Sequence, residues 1–562
     1  MTDDRPELTS APTNAQCDRC PDGRDRTAAY GQANAQSPRS ITFVRIIGAL
    51  TFAIALAACS SLQRNFVKAP SNAMPPAADT PSASYIAAEL HGHNGQSGFR
   101  LLTKSTNALM SRIALADHAQ HSIDLQYYIF QNDATGRLLA QHLLAAADRG
   151  VRVRILLDDI KLRDEDRMLD ALDAHEHIEV RLFNPFRTRN PSTLSKAAQF
   201  LLEGRRLNRR MHNKSFITDN VAVIIGGRNI GDHYFDASYE NNFRDLDVIA
   251  IGPVVAEASR VFDAYWNCDA AYPVTAFHNT RDTQADLARL RGGLARDARV
   301  FEQSDYAEAV LEELPQGASA DHFGDWFWGP AILVADQPEK IEAHGDAPAL
   351  RIGPQLKAMI DAAQSEVLLI SPYFVPGKSG TRFLADLAQR GVSTQVLTNS
   401  LAATDEPAAH SGYAHYRHPL LDAGVQLYEL LPVPGVTQSA TAGGTSSGIS
   451  LHAKAVVVDR AHVFIGSLNM DQRSKLLNTE MGVIIESEPL AQAVKRFFDA
   501  ATLPENSFHV VLQKSSESAN AQITWHWREQ GKDKSAESDP GVSAARRLET
   551  FVISLLPIEG LL

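Results

Sequence analysis

The sequence predicts an α/β protein of two pseudo-symmetric domains, each a mixed β-sheet flanked by helices. Three observations predict it. At 562 residues the chain is long for one domain and sufficient for two cores plus extensions. Short apolar runs alternate with helical patterns in the order of βαβ units. The whole pattern then occurs a second time, 240 residues on, a period that means duplicated domains and not a solenoid.

From the N-terminus, residues 1–38 are polar and poor in aromatics and read as a disordered extension. Residues 39–58 read as a signal peptide. Ile46 to Ala58 is a 13-residue apolar run behind Arg39 and Arg45, short of the ~20 residues that span a bilayer. Its end, Leu56-Ala57-Ala58-Cys59, is similar to a bacterial lipobox. That likeness makes Cys59 the expected lipidation site and the periplasmic side of a cell-envelope membrane the expected location. Ser60 stands where an aspartate would signal inner-membrane retention, which leans towards the outer membrane. The competing reading is a short membrane anchor left in place. The 38 residues ahead of the apolar run are unusual for a signal; one account is a non-methionine start codon nearer Arg45, since no methionine lies between Met1 and Met74. Residues 60–84 follow as a linker.

The first domain is expected over 85–270 and the second over 351–562, with a connecting region, 271–350, that holds the cluster Trp326-Phe327-Trp328. In the first, the strand SIDLQYYIF (122–130) leads to a helical pattern ending at Gly150, then to a strand from Val151 to Leu157. In the second, EVLLISPYF (366–374) leads to a helical pattern ending at Gly391 and a strand from Val392 to Thr398. Both glycines suit a helix C-terminal cap. Leu172-Asp173-Ala174 and Leu421-Asp422-Ala423 each precede a further strand. Gly150 to His212 spans 62 residues and Gly391 to His452 spans 61, so register is kept. Ahead of the second motif, 432–448 is rich in Gly, Ser, Thr and Pro and reads as a mobile loop; its counterpart, 185–210, ends in Arg205, Arg206, Arg209 and Arg210.

Composition narrows the class. With 44% hydrophobic and 21% charged residues the chain is well cored, and a net charge of −12 argues against a general nucleic-acid coat. Of four cysteines, Cys17 and Cys20 form an isolated Cys-x-x-Cys with no second pair, a weak metal or redox signal, and Cys268 beside Trp266 reads as a buried structural thiol.

The chemistry lies in two copies of His-x-Lys-x4-Asp. His212, Lys214 and Asp219 form the first, inside a motif spanning 206–233; His452, Lys454 and Asp459 form the second, spanning 446–473. Each continues to a glycine seven residues after the aspartate (Gly226, Gly466) and an asparagine three later (Asn229, Asn469). Met211 to Ile217 and Ser450 to Val458 read as strands, which puts each His and its Lys on one face. Asp219 and Asp459 fall where the strand turns and are expected to fix the turn through backbone amides, as structural residues of the motif. Returning strands bring Asn229 and Asn469 to the same end of the sheet.

A histidine and lysine on one face, presented twice, suit a phosphodiester. The lysines and asparagines bind non-bridging oxygens, one imidazole attacks phosphorus, and the other protonates the leaving oxygen. Each histidine needs an orienting carboxylate. Aligning RDLDVIAIG with NTEMGVIIE puts Asp245 opposite Glu480, with Asp247 the second choice in the first half. Zinc is disfavoured because a lysine two residues from each histidine repels a cation and no His-Glu-x-x-His spacing occurs; no metal or cofactor is expected. Pro376-Gly377-Lys378-Ser379 imitates the end of a phosphate loop, but the first glycine of that motif falls at Pro372.

These residues resemble the phospholipase D superfamily, whose mark is paired His-x-Lys-x4-Asp motifs continuing to Gly-Ser-x-Asn. The second copy matches in full as Gly466-Ser467-Leu468-Asn469; the first departs as Gly226-Gly227-Arg228-Asn229 and lacks the hydroxyl. Within the superfamily, SIDLQYYIF, GGRNIGDHYF, NFRDLDV and the close FVISLLPIEGLL are similar to bacterial cardiolipin synthases of the C type, over roughly residues 85–562. The resemblance implies one shared site at the interface of the halves, a phosphohistidine on His212 with His452 as acid, and transfer of a phosphatidyl group between phospholipids, joining phosphatidylglycerol to a second lipid headgroup. It also implies membrane phospholipids as partners, no nucleic acid, and a monomer acting through its two halves. The alternatives are a hydrolytic phospholipase D with water as acceptor, a nuclease of the same superfamily, and a non-catalytic lipid-binding lipoprotein.

Overall fold

In the computed structural model, residues 68–562 are described apart from 161, 163–165, 187–198, 200–202, 278–282, 314–325, 344–346, 433–447, 514–520, 557–559 and 561–562. The expected disordered extension, signal peptide, Cys59, the start of the linker and nearly all of the Gly/Ser-rich loop therefore lie outside the described residues.

The first half contributes β1 (Ser97–Leu102), β2 (Ser122–Tyr127), β3 (Arg152–Asp158), β4 (Ile178–Phe183), β5 (Ser215–Thr218), β6 (Ala222–Gly226), β7 (Asn242–Arg244), β8 (Asp247–Ile251), β9 (Ala271–Pro273) and β10 (Phe327–Gly329). The second contributes β11 (Ala331–Ala335), β12 (Glu366–Ile370), β13 (Ser393–Asn399), β14 (Gln426–Leu430), β15 (Ile449–Leu451), β16 (Ala455–Val458), β17 (His462–Gly466), β18 (Met481–Glu486), β19 (Ser507–Gln513), β20 (Gln522–Glu529) and β21 (Lys532–Ala536). One sheet runs β10-β1-β8-β6-β5-β2-β3-β4-β9 and the other β11-β18-β17-β16-β12-β13-β14-β19-β20-β21. The series β8-β6-β5-β2-β3-β4-β9 thus corresponds to β18-β17-β16-β12-β13-β14-β19. Directions agree as well. β2, β3 and β4 are parallel, as are β12, β13 and β14, while β5 and β16 run antiparallel to β2 and β12. The mixed, duplicated α/β architecture expected from the alternating pattern is the one observed.

Local sequence explains the crossovers. β2 is buried at every position, as a strand covered on both faces must be, so its sequence is a run of side chains that tolerate burial and not an alternation. The helix Ala134–Asp148 that follows is started by Asp133, whose carboxylate accepts from Gly136 N (3.0 Å), and is stopped by Gly150 at φ +91°. Gly391 stops Gly377–Gln389 in the same way at φ +86°. Both sit in the left-handed region where a side chain is disfavoured.

Two expectations need correction. Residues 271–350 are not merely a connector: β9 and β10 close the two edges of the first sheet, and β11 pairs with β18 in the second. The motif strands are also shorter than read, β5 starting at Ser215 and β16 at Ala455, because the backbone ahead of each leaves its own ladder to pair across the halves. The linker is tied down from its first described residue. Lys68 Nζ donates to Ala271 O (2.9 Å) and Arg154 Nη1 to Ser71 O (2.8 Å).

The halves share a core. Val223, Ile225, Val248 and Ala250 of the first sheet belong to one buried cluster with Val457, Val463, Ile465 and Val483 of the second. The helices Pro253–Asn267 and Glu488–Ala501 complete it with Phe262, Trp266, Val494 and Phe498. Such an interface is core cut in two: each sheet buries one face here and the other under its own helices.

Asp219 and Asp459 do occupy the expected turns. Asp219 and Asn220 lie at φ +51° and +52°, Asp459 and Arg460 at +51° and +57°, as in a type I′ turn. The amides they hold, however, belong to the neighbouring strand. Asp219 accepts from the N–H of Gln120, His121 and Ser122 (3.0, 2.8 and 2.9 Å) entering β2, and Asp459 from those of Gln364, Ser365 and Glu366 (2.9, 2.7 and 2.9 Å) entering β12. Asp219→Ala orphans three backbone donors, that of Ser122 buried, and is expected to lower unfolding free energy by about 2 kcal/mol, read by urea denaturation, with a small change in the rate of the folded fraction. A folded but inactive variant would assign this carboxylate to the chemistry instead.

Candidate active site

Each histidine is anchored by the opposite half. Met211 bridges to Thr479, and His212 N donates to Thr479 O (2.8 Å). In the symmetric place, β15 pairs parallel with β7, and His452 N donates to Arg244 O (2.8 Å). The residue after each acceptor carbonyl is an acid. His212 Nδ1 therefore meets Glu480 Oε2 at 2.8 Å, and His452 Nδ1 meets Asp245 Oδ2 at 2.5 Å. Aligning the halves places each carboxylate with the histidine of its own half; the structure exchanges them. With Nδ1 held by a carboxylate, the reactive nitrogen of each ring is Nε2.

The two acids are held differently. Glu480 Oε2 also accepts from Ser467 Oγ (2.5 Å), while Glu480 N donates to Asp336 Oδ2 (2.8 Å), itself paired with Lys340 (2.7 Å). Asp245 is shorter, and its Oδ1 takes Leu246 N (2.7 Å). A Cβ at Gly227 would collide with that oxygen, which explains why the first motif reads Gly-Gly and not Gly-Ser. Asp247, the second choice, is committed elsewhere, pairing with Arg112 (2.9 Å) and Arg228 (3.4 Å) in a fully buried cluster.

Lys214 and Lys454 are buried, and the Nζ of each donates to the carbonyl of its own histidine, Lys214 to His212 O at 2.6 Å. An ammonium carries three donors, so two on each lysine remain for a ligand. Asn229 takes Ile129 N on its Oδ1 (3.2 Å) and keeps a buried Nδ2 without an acceptor; Asn469 has an unpartnered buried Oδ1. Burial pushes the Lys454 ammonium down to about 8 and holds Lys214 well below the usual lysine range, against the pull of Asp245 and Glu480. Burial, then Lys214 and Lys454, hold His212 well below the usual imidazole range. His452 is pushed down to about 4 by burial and Lys454, partly offset by Asp245. Burial raises Glu480 to about 7, whereas for Asp245 the charges of His452 and Lys454 outweigh burial and keep it ionised. Because Lys454 loses its proton as pH rises through about 8, kcat/KM is expected to fall above that pH. The limb in kcat lies higher, since a bound phosphodiester anion favours the ammonium. A kcat/KM flat to pH 10 would contradict a cationic role.

Residues 113–266 and 356–502 match the family model described as "Cardiolipin synthase, PLD-like domain". Cardiolipin synthase C of Escherichia coli K12 is 41% identical over 479 residues, covering 84% of this chain and 97% of that protein. The chain belongs to the phospholipase D-like cardiolipin synthase family. It is a phospholipase D-type phosphatidyltransferase. An uncharacterized protein of Helicobacter pylori 26695 is 32% identical over 85% of this chain and 92% of its own length. The crystal structure of phosphatidylserine synthase from Haemophilus influenzae Rd KW20 superposes with a TM-score of 0.51 at 13% identity, covering 85% of this chain and all of that one, a likeness of fold.

Three site residues of this family member carry no signal of spacing or periodicity. The Tyr128 ring lies edge-on to His212 (4.9 Å), and Tyr234 and Phe243 pack on His452 (5.2 and 5.0 Å), giving each imidazole an aromatic neighbour. Asp158 at the end of β3 accepts from Met211 N (2.9 Å) and sets the entry of the first motif. Among the described residues, His410, Glu429 and Asp539 converge as metal ligands would. Arg417 already occupies their centre, with donors 2.8 Å from Glu429, 2.7 Å from Asp539 and 2.8 Å from His410.

Proposed function

We propose that the chain makes cardiolipin from phosphatidylglycerol and a second phospholipid, moving a phosphatidyl group onto a hydroxyl of phosphatidylglycerol through a covalent intermediate on His212. The observation that carries this reading is the pair of buried histidines, each tied through Nδ1 to an acid of the other half, beside two buried lysines with donors to spare. Lys214, Lys454, Asn229 and Asn469 hold the non-bridging oxygens. His212 Nε2 attacks phosphorus; the P–O bond to the departing headgroup alcohol of the donor lipid breaks and its oxygen takes the proton of His452. The acceptor hydroxyl then gives its proton to His452 and attacks phosphorus, and the P–N bond breaks to restore His212. The asymmetry of the acids supports this order. Ionised Asp245 offsets part of the lowering at His452 and favours its imidazolium, whereas the Glu480 beside His212 is itself raised to about 7 by burial.

Phospholipid as the partner draws support from the surface. The helix Ala544–Ser554 exposes Leu548, Phe551 and Val552, and Leu555 and Leu556 just beyond it continue the same stripe, beside Arg546 and Arg547. An apolar stripe with arginines suits an anionic lipid surface. Among the described residues no helix is long and apolar enough to cross a membrane, so anchoring is assigned to this stripe and to a lipid on Cys59, with the outer membrane as destination. Leu548→Asp with Phe551→Asp is expected to lower sedimentation with phosphatidylglycerol vesicles several-fold; equal sedimentation would remove the helix from this role. Intact mass of the membrane fraction tests Cys59, an unprocessed N-terminus being the contrary result. Nucleic acid is disfavoured because three of the four arginines of the basic run are engaged internally. Arg206 binds Asn184, Arg209 the carbonyls of Ile341 and Ala343, and Arg210 is buried against Leu207 O. One chain supplies both histidines, so a monomer suffices.

The deciding experiment incubates purified protein with labelled phosphatidylglycerol, with and without phosphatidylethanolamine. Labelled cardiolipin is the expected product, and activity is expected to survive chelators. Phosphatidic acid alone would convert the reading to a hydrolase.

A further inference from the structure

In the first half the helices Ser105–His118 and Ala134–Asp148 pack directly on one another over β2. Their counterparts in the second half, Gly353–Asp361 and Gly377–Gln389, instead form walls of a cavity of about 470 Å³. Leu356 and Ile360 line one side, Phe383 and Leu384 the other, with Leu369 of β12 and Phe374 between them. Protein interiors rarely leave apolar space of this size unfilled, and the volume falls within the range of ligand pockets.

Two polar features mark its extent. Asn469 lines the cavity and is 6% exposed. Asn469 also belongs to the paired motif, so the cavity reaches a residue at which phosphate is assigned. On the outer side, Lys357 reaches from one helix over the Phe383 ring of the other (4.5 Å) and pairs with Asp361 (3.5 Å). An apolar slot with a phosphate-binding amide at its inner end matches the hydrocarbon tail of a phospholipid.

We propose that this cavity holds an acyl chain of the phospholipid whose phosphate is bound at Asn469. The assignment rests on the phosphatidyl-transfer reading and specifies where that substrate keeps its tail. The asymmetry between the halves then has a purpose: the first half is filled and structural, the second is open and selects a lipid.

The test uses the full chain and vesicles of phosphatidylglycerol bearing a diazirine in one acyl chain, irradiated and mapped by peptide mass spectrometry. Adducts are expected on 353–361 and 377–389, displaced by unlabelled phosphatidylglycerol and not by equimolar oleate. Adducts confined to the C-terminal helix, or displaced by oleate alone, would overturn the assignment. Labelling reads occupancy without turnover, so a labelled cavity with no transfer product would count against the transferase reading and leave the tail site standing. In parallel, Leu384→Trp fills the slot. The ratio of turnover on sixteen-carbon over six-carbon phosphatidylglycerol is expected to fall at least about tenfold, as pockets that discriminate by methylene count do. An unchanged ratio in a folded variant would also overturn it.

Discussion

Asparagine at position 212 is expected to abolish the covalent intermediate and turnover together, by at least about 10⁴-fold, because no other group replaces a lost nucleophile. Asparagine at 452 has a different signature. In the proposed mechanism His452 gives a proton to the leaving oxygen and later takes one from the acceptor, so its loss is expected to slow both formation and breakdown by about 10²–10⁴-fold without removing the attachment point. The two variants are thus distinguished by whether any adduct can be trapped at long times, and not by residual rate. Neither should unfold the protein, since the backbone bonds from His212 N to Thr479 O and from His452 N to Arg244 O do not involve the side chain. Equal adduct yield in both variants would mean that the rings share one role.

Asp245→Asn and Glu480→Gln are expected to reduce kcat/KM by about 10²–10⁴-fold each, because an amide can impose the wrong tautomer on its imidazole. The crossed pairing separates them by leaving group. Asp245 holds His452 at 2.5 Å, so losing it weakens the proton donor. A phosphatidyl ester of p-nitrophenol needs no proton to depart, and intermediate formation in Asp245→Asn should recover on it. Glu480 holds His212 at 2.8 Å, and a weakened nucleophile is not rescued by a better leaving group, so Glu480→Gln should stay slow. Each carboxylate acting within its own half would give the reverse pattern.

Much of this arrangement was legible in residue spacing. The duplicated motif, the helix-stopping glycines and the turn aspartates depend on local geometry, and local geometry repeats when a domain is duplicated. The partners of the histidines were not legible for the same reason. Alignment of the halves finds equivalent residues, but Asp245 and Glu480 act across the pseudo-symmetric interface, where equivalence and contact part company. The connector strands were missed because β10 has three residues and is defined by its neighbours, β1 and the shared edge, more than by its own pattern. Gly227 looked like a defect in the motif; packing shows it makes room for Asp245. Tyr128, Tyr234 and Phe243 contribute apolar cover, which any aromatic in a strand or loop could supply.

The most direct test of the central claim is rapid-quench trapping on wild-type protein with phosphatidylglycerol labelled at phosphorus, followed by peptide mapping. A base-stable, acid-labile adduct on the His212 peptide, formed and discharged at the rate of turnover, is the predicted result. An adduct on His452 would reverse the roles, and turnover with no adduct on either histidine would contradict double displacement altogether.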